Sequence, residues 1–157
     1  MKAASLPEIK KELQRKSPRE LLELCLVLAR FKLENKELLT YSLFEKDYED
    51  GYRENIKSYI TDQMLAVETM NVYYAKKSVR KILRQLKKFI RYSKNKETEA
   101  VVLMHFCEEL AAHSINYKRS RVLVNMFEKQ REMAKKAIDK LHEDLQYDYL
   151  QVWESLK

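Results

Sequence analysis

Residues 72–92 read VYYAKKSVRKILRQLKKFIRY, and on a helical wheel that run separates into two faces. At about 100° per residue, Val79, Ile82, Leu83, Leu86, Phe89 and Ile90 fall within an arc of roughly 120°. Lys76, Lys77, Arg80, Lys81, Arg84, Lys87, Lys88 and Arg91 fall within an opposite arc of roughly 140°. The pattern predicts a helix over 71–92 that packs its apolar arc and turns its basic arc to water. Tyr73 projects into the basic arc, with Tyr74 and Tyr92 at its edge.

Working outward, the chain has neither Gly nor Pro from Tyr52 onward. Tyr52, Ile56, Tyr59, Ile60, Met64 and Val67 recur at three- and four-residue steps, so a helix precedes the basic one. Further helices are expected over 96–116 and from 117 to the C-terminus, with Asn95 and Asn116 as breakpoints because Asn caps well and tolerates the left-handed region. Upstream, Ser5-Leu6-Pro7-Glu8 and Ser17-Pro18-Arg19-Glu20 share one design. Each has Ser at the N-cap, Pro in the first turn and Glu three residues after the Ser, which marks helix starts for 7–16 and 18–33. The second of these is apolar on most sides (Leu21, Leu22, Leu24, Cys25, Leu26, Val27, Leu28, Phe31) and is expected at the centre of a bundle. Asn35 then offers a cap for a short helix carrying Leu38, Leu39, Tyr41, Leu43 and Phe44. The charged stretch 45–51 holds the only Gly and reads as a loop.

Near the C-terminus, Leu123, Phe127, Gln130, Ala134, Ala137, Leu141, Leu145, Tyr149 and Val152 follow an approximate heptad. One straight helix over 117–156 would be about 60 Å long, too long for a compact domain about 40 Å across. It therefore breaks, near Gln146-Tyr147-Asp148, or projects from about residue 147 toward a partner. Glu20-Leu21-Leu22 with Phe44-Glu45-Lys46 is faintly echoed by Glu99-Ala100-Val101 with Phe127-Glu128-Lys129, a hint of stacked hairpins. The expected fold is all-α, a single domain over 1–157 with six to seven helices, as an irregular bundle or a short stack of helical hairpins.

Composition narrows the function. One Gly and two Pro in 157 residues exclude the glycine-dependent phosphate loop, dinucleotide fingerprint, nucleophile elbow and RNA-clamping loop. The 31 Lys and Arg exceed the 24 Asp and Glu, a formal charge of +7. That excess is local. No acidic residue lies between Glu68 and Glu97, an interval with ten Lys and Arg, while the flanking segments are each slightly acidic. No apolar run approaches the roughly 18 residues that span a bilayer. The N-terminus lacks the apolar stretch of a signal peptide, so a cytoplasmic location is expected. Cys25 and Cys107 sit in apolar helical patterns and are expected as buried free thiols.

These observations favour non-enzymatic binding. A row of eight like charges repels itself, and a phosphate backbone would relieve that repulsion with release of counterions. The expected site is Tyr73, Lys76, Lys77, Arg80, Lys81, Arg84, Lys87, Lys88 and Arg91, with nucleic acid as the leading partner. An acidic protein, an anionic membrane surface, or the chain's own Glu128, Glu132, Asp139, Glu143 and Asp144 are the other ways to satisfy it. One alternative function is a protein-interaction or oligomerisation module, such as a homo-oligomer, using the C-terminal heptads. A second is a metal-dependent helical enzyme using His105, Glu109 and His113, which are spaced i, i+4, i+8 along one helix side. Surface or boundary positions are the simpler account of that stripe, so no metal, cofactor or catalytic residue is assigned. Trp153 is expected to pin the last turn to an apolar surface.

Overall fold

A computed structural model describes residues 1–67 and 71–156. Among the described residues there are eight α-helices, two irregular turns and no strand. None of the helices is long and apolar enough to cross a membrane. All-α is therefore correct, with one helix more than the upper end of the expectation. The chain groups into two compact units, residues 1–43 and 44–157, each described by itself.

The first unit holds α1 (Leu6–Leu13), α2 (Pro18–Phe31) and α3 (Leu33–Thr40), the last running into a π turn at Tyr41–Glu45. Both Ser-Pro starts are real. The Glu8 carboxylate accepts from the Ser5 N–H at 2.8 Å. Glu20 accepts from the Ser17 N–H at 2.8 Å, while the Ser17 hydroxyl accepts from the Glu20 N–H at 3.3 Å. Asn35 acts differently from the expected cap. It lies inside α3, and its Nδ2 donates to the Leu28 carbonyl at 2.8 Å, one of the last four carbonyls of α2 that no helical N–H can reach.

The expected central position of α2 is overturned. It contributes no buried residue, and Leu22, Val27, Leu28 and Phe31 are 59, 58, 55 and 83% exposed. Cys25, expected buried, is exposed. Apolar residues all round a helix demand neighbours all round, and the first unit has only two other short helices to offer.

The second unit holds α4 (Glu49–Leu65), α5 (Val72–Ser93), α6 (Lys96–Ala112), a 3-10 turn (Tyr117–Arg119), α7 (Arg121–Ile138) and α8 (Glu143–Ser155). The central position belongs to α6, which buries eight residues including Val102, Leu103, Phe106 and Leu110 and packs on α4, α5, α7 and α8. Gly51, expected in a loop, lies in the first turn of α4, where a Cβ would overlap the Tyr48 ring. The loop is shortened because Glu49 and Asp50 suit the positive end of a helix.

Asn95 caps α6 as expected, accepting from the Glu97 and Thr98 N–H groups. Asn116 instead caps the 3-10 turn through the Lys118 N–H, and α6 ends earlier, at Ala112. The C-terminal helix does break, but at residues 139–142 rather than at 146–148. Gln146 lies inside α8, and its amide donates to the Leu141 carbonyl at 2.7 Å. His142, followed by Glu143 and Asp144, makes a good helix start there, so the second helix does not project. Trp153 ties it down: the indole N–H donates to the Arg131 carbonyl at 2.8 Å, and the Arg131 guanidinium lies 3.9 Å from the ring centroid. The echoed Phe residues differ in setting, Phe44 being exposed and Phe127 buried.

Candidate polyanion interface

The basic helix begins where Asn71 accepts from the Tyr74 N–H at 3.1 Å. It ends at Lys94, whose backbone is left-handed (φ 56°) and whose N–H bonds to the Ile90 carbonyl. Between these caps the sequence pattern becomes geometry. Ala75, Val79, Ile82, Leu83 and Leu86 are buried. Phe89 sits between two rings of α4, edge-on to Tyr52 at 6.5 Å and to Tyr59 at 5.5 Å, and its carbonyl accepts from the Tyr52 hydroxyl at 3.1 Å. These contacts fix the rotation of α5 and so decide which side faces out.

On the outward side Lys77, Arg80, Lys81, Arg84 and Arg91 are exposed, and Lys76, Lys87 and Lys88 are half-buried. Among the described residues, no carboxylate pairs with Lys76, Lys77, Arg80, Lys81, Arg84, Lys87 or Arg91. Of the acidic residues expected as alternative partners for the row, Glu132 pairs with Lys136 at 2.6 Å and Asp139 with Lys135 at 2.5 Å, both within or beside α7. Tyr73 and Tyr74 are 71 and 57% exposed and meet edge to face at 5.4 Å, forming an aromatic corner at the start of the row.

Lys129 is a member of this surface that the sequence reading missed. Burial lowers the Lys87 pKa, and repulsion from Lys129 of α7 lowers it further. The exposed Lys129 thus adds its charge to the field at Lys87. The available signal was indirect: Gln130 belongs to the inward stripe, which turns its neighbour Lys129 outward.

The metal stripe is not assembled. His113 Nε2 donates to the Met64 carbonyl at 3.1 Å, and its Nδ1 accepts from the Ile115 N–H at 3.1 Å, so both ring nitrogens hold backbone. His105 and Glu109 share the Thr61 hydroxyl, which lies 3.0 Å from His105 Nε2 and 2.9 Å from Glu109 Oε1. Among the described residues no three His, Cys, Asp or Glu converge as a metal site. Cys107 is buried as expected; burial pushes its thiol up to about 12, and its sulfur bonds to the Phe127 carbonyl at 3.6 Å. A thiol so protonated is a poor nucleophile.

No family model, curated protein or solved structure matches the chain.

Proposed function

We propose that this is a non-enzymatic binding protein that holds a polyanion, with nucleic acid the leading ligand, along the outer side of α5. The observation that carries this reading is the exposed row Lys77, Arg80, Lys81, Arg84 and Arg91, without a carboxylate partner among the described residues, on a helix whose other side is packed. From Lys77 to Arg91 the helix rises about 21 Å, enough to follow several phosphates. The arginines offer bidentate bonds to phosphate oxygens, and Lys129 widens the track. Tyr73 and Tyr74 suit stacking on unpaired bases, worth about 1–3 kcal/mol per base, which favours a single strand over a duplex. A membrane surface is a weaker fit, because an interfacial helix inserts its apolar face and that face of α5 is buried.

The α7 part of the C-terminal heptads is less suited to an intermolecular contact: Leu123, Phe127, Gln130, Ala134 and Ala137 are all buried within the second unit.

The test is fluorescence anisotropy with a labelled single-stranded oligonucleotide at about 50 and about 200 mM salt. Affinity should fall steeply with salt. Arg80→Ala with Arg84→Ala should weaken binding and make the log–log salt slope shallower by about 0.7 per lost contact. No binding at the lower salt, or binding indifferent to salt, overturns the proposal.

A further inference from the structure

The first unit carries an apolar surface out of proportion to its size. Twelve Leu, Ile, Val and Phe side chains between Leu6 and Leu43 are at least 39% exposed. At about 80–100 Å² each they present on the order of 1,000 Å², against roughly 300–600 Å² for the largest patch of an ordinary monomer and roughly 800 Å² per partner in a stable dimer. A 43-residue unit is also close to the size, about 40 residues, below which a chain seldom buries enough core unaided.

We infer that this surface is covered by the same surface of a second copy of the chain, with α2 packed antiparallel to its counterpart. The pattern of α2 fits a two-fold axis. Leu24, Val27 and Phe31 share one side at i, i+3, i+7 spacing. With the axis between residues 25 and 26, Leu24 of each copy faces Val27 of the other. Glu23 and Arg30 lie on a common flank of that side, so each Arg30 comes beside the opposite Glu23. Arg30 has no carboxylate partner among the described residues, and Glu23 is held by Arg19, itself 88% exposed at its side chain, at 3.3 Å. Between α1 and α2, Arg15 pairs with Glu12 and Lys16 with Glu20, so the exposed apolar side chains dominate the surface and suit an apolar copy of itself.

Light scattering on the full chain separates the outcomes. The expected mass is twice 18.9 kDa at micromolar concentration. Val27→Glu should give a monomer with unchanged helicity, because Val27 is exposed within its own chain. Arg30→Glu should raise the dimer dissociation constant by about tenfold, a 1.4 kcal/mol change, and Glu23→Arg added to it should restore most of that loss. A wild-type chain that stays monomeric overturns the inference. So does a dimer indifferent to Val27→Glu, or a pair of charge variants whose effects simply add. None of these results bears on oligonucleotide binding, which is read separately from α5.

Discussion

Lys87 on α5 lies within electrostatic reach of Lys129 on α7, a like charge from a helix distant in sequence. Burial and this repulsion both favour the neutral amine, so the Lys87 pKa is lowered. The unfolded chain then holds its proton more tightly than the folded one, and the associated cost to stability is present in full below the folded pKa. It disappears as pH rises toward the ordinary lysine value. Lys129→Gln should therefore stabilise the fold at neutral pH by about 0.3 kcal/mol, the size of a like-charge pair on a helix surface. Added salt should stabilise the wild type more than the variant. The same substitution should weaken oligonucleotide binding. Melting curves at low and high salt, beside an anisotropy titration, check both signs.

Glu97 joins three helices. Its carboxylate accepts from the Arg53 guanidinium of α4 at 2.8 Å and from the Tyr149 hydroxyl of α8 at 2.6 Å. Burial alone would push the Glu97 carboxyl up, but the Tyr149 and Arg53 bonds outweigh it and hold the pKa below 4.5. Burial and the neighbouring carboxylate push Tyr149 up to about 12. In the unfolded chain the phenol ionises near 10, so the stability it lends is complete below that pH and is lost between about 10 and about 12. Chemical denaturation from pH 8 to 12 should show that loss in the wild type, and Tyr149→Phe should flatten it. Glu97→Gln should cost about 2 kcal/mol at pH 7, as expected for charge-assisted bonds to a half-buried cation.

Helix α8 has no buried residue of its own and depends on the contacts of Tyr149, Trp153 and the buried Leu156 that follows it. Such a segment opens with a smaller free energy than the core. The single Trp makes this visible: its fluorescence should change at lower denaturant than the far-ultraviolet helical signal. Trp153→Phe removes the bond to the Arg131 carbonyl and weakens the cation–π contact, and should cost about 1–2 kcal/mol. Coincident transitions in the wild type would show that α8 unfolds with the rest.

The parts of this protein that sequence reveals are those set by neighbours along the chain. Ser17 with Glu20, Asn71 and Asn95 each cap a helix within three residues, and the two faces of α5 follow from one repeating angle. What was hidden depends on residues distant in sequence. Whether α2 is central turns on how many helices reach it, which its own apolar residues cannot state. Asn35 looked like a cap for its own helix and serves the preceding one. Lys129 acts on Lys87 from a helix far along the chain. The break at 139–142 precedes the one expected near 146–148, because the Gln146 amide crosses it and holds it from the far side.

The left-handed backbone at Lys94 sets two properties of the molecule against each other. A side chain in that conformation costs about 1–2 kcal/mol that glycine avoids, and this sequence places its one glycine elsewhere, at Gly51. Lys94→Gly should accordingly raise the melting temperature while deleting a cation from the end of α5 that the helix dipole leaves negative. A sturdier protein with a looser hold on phosphate is the expected product, and it would mark this corner as a place where conformational ease has been given up for charge.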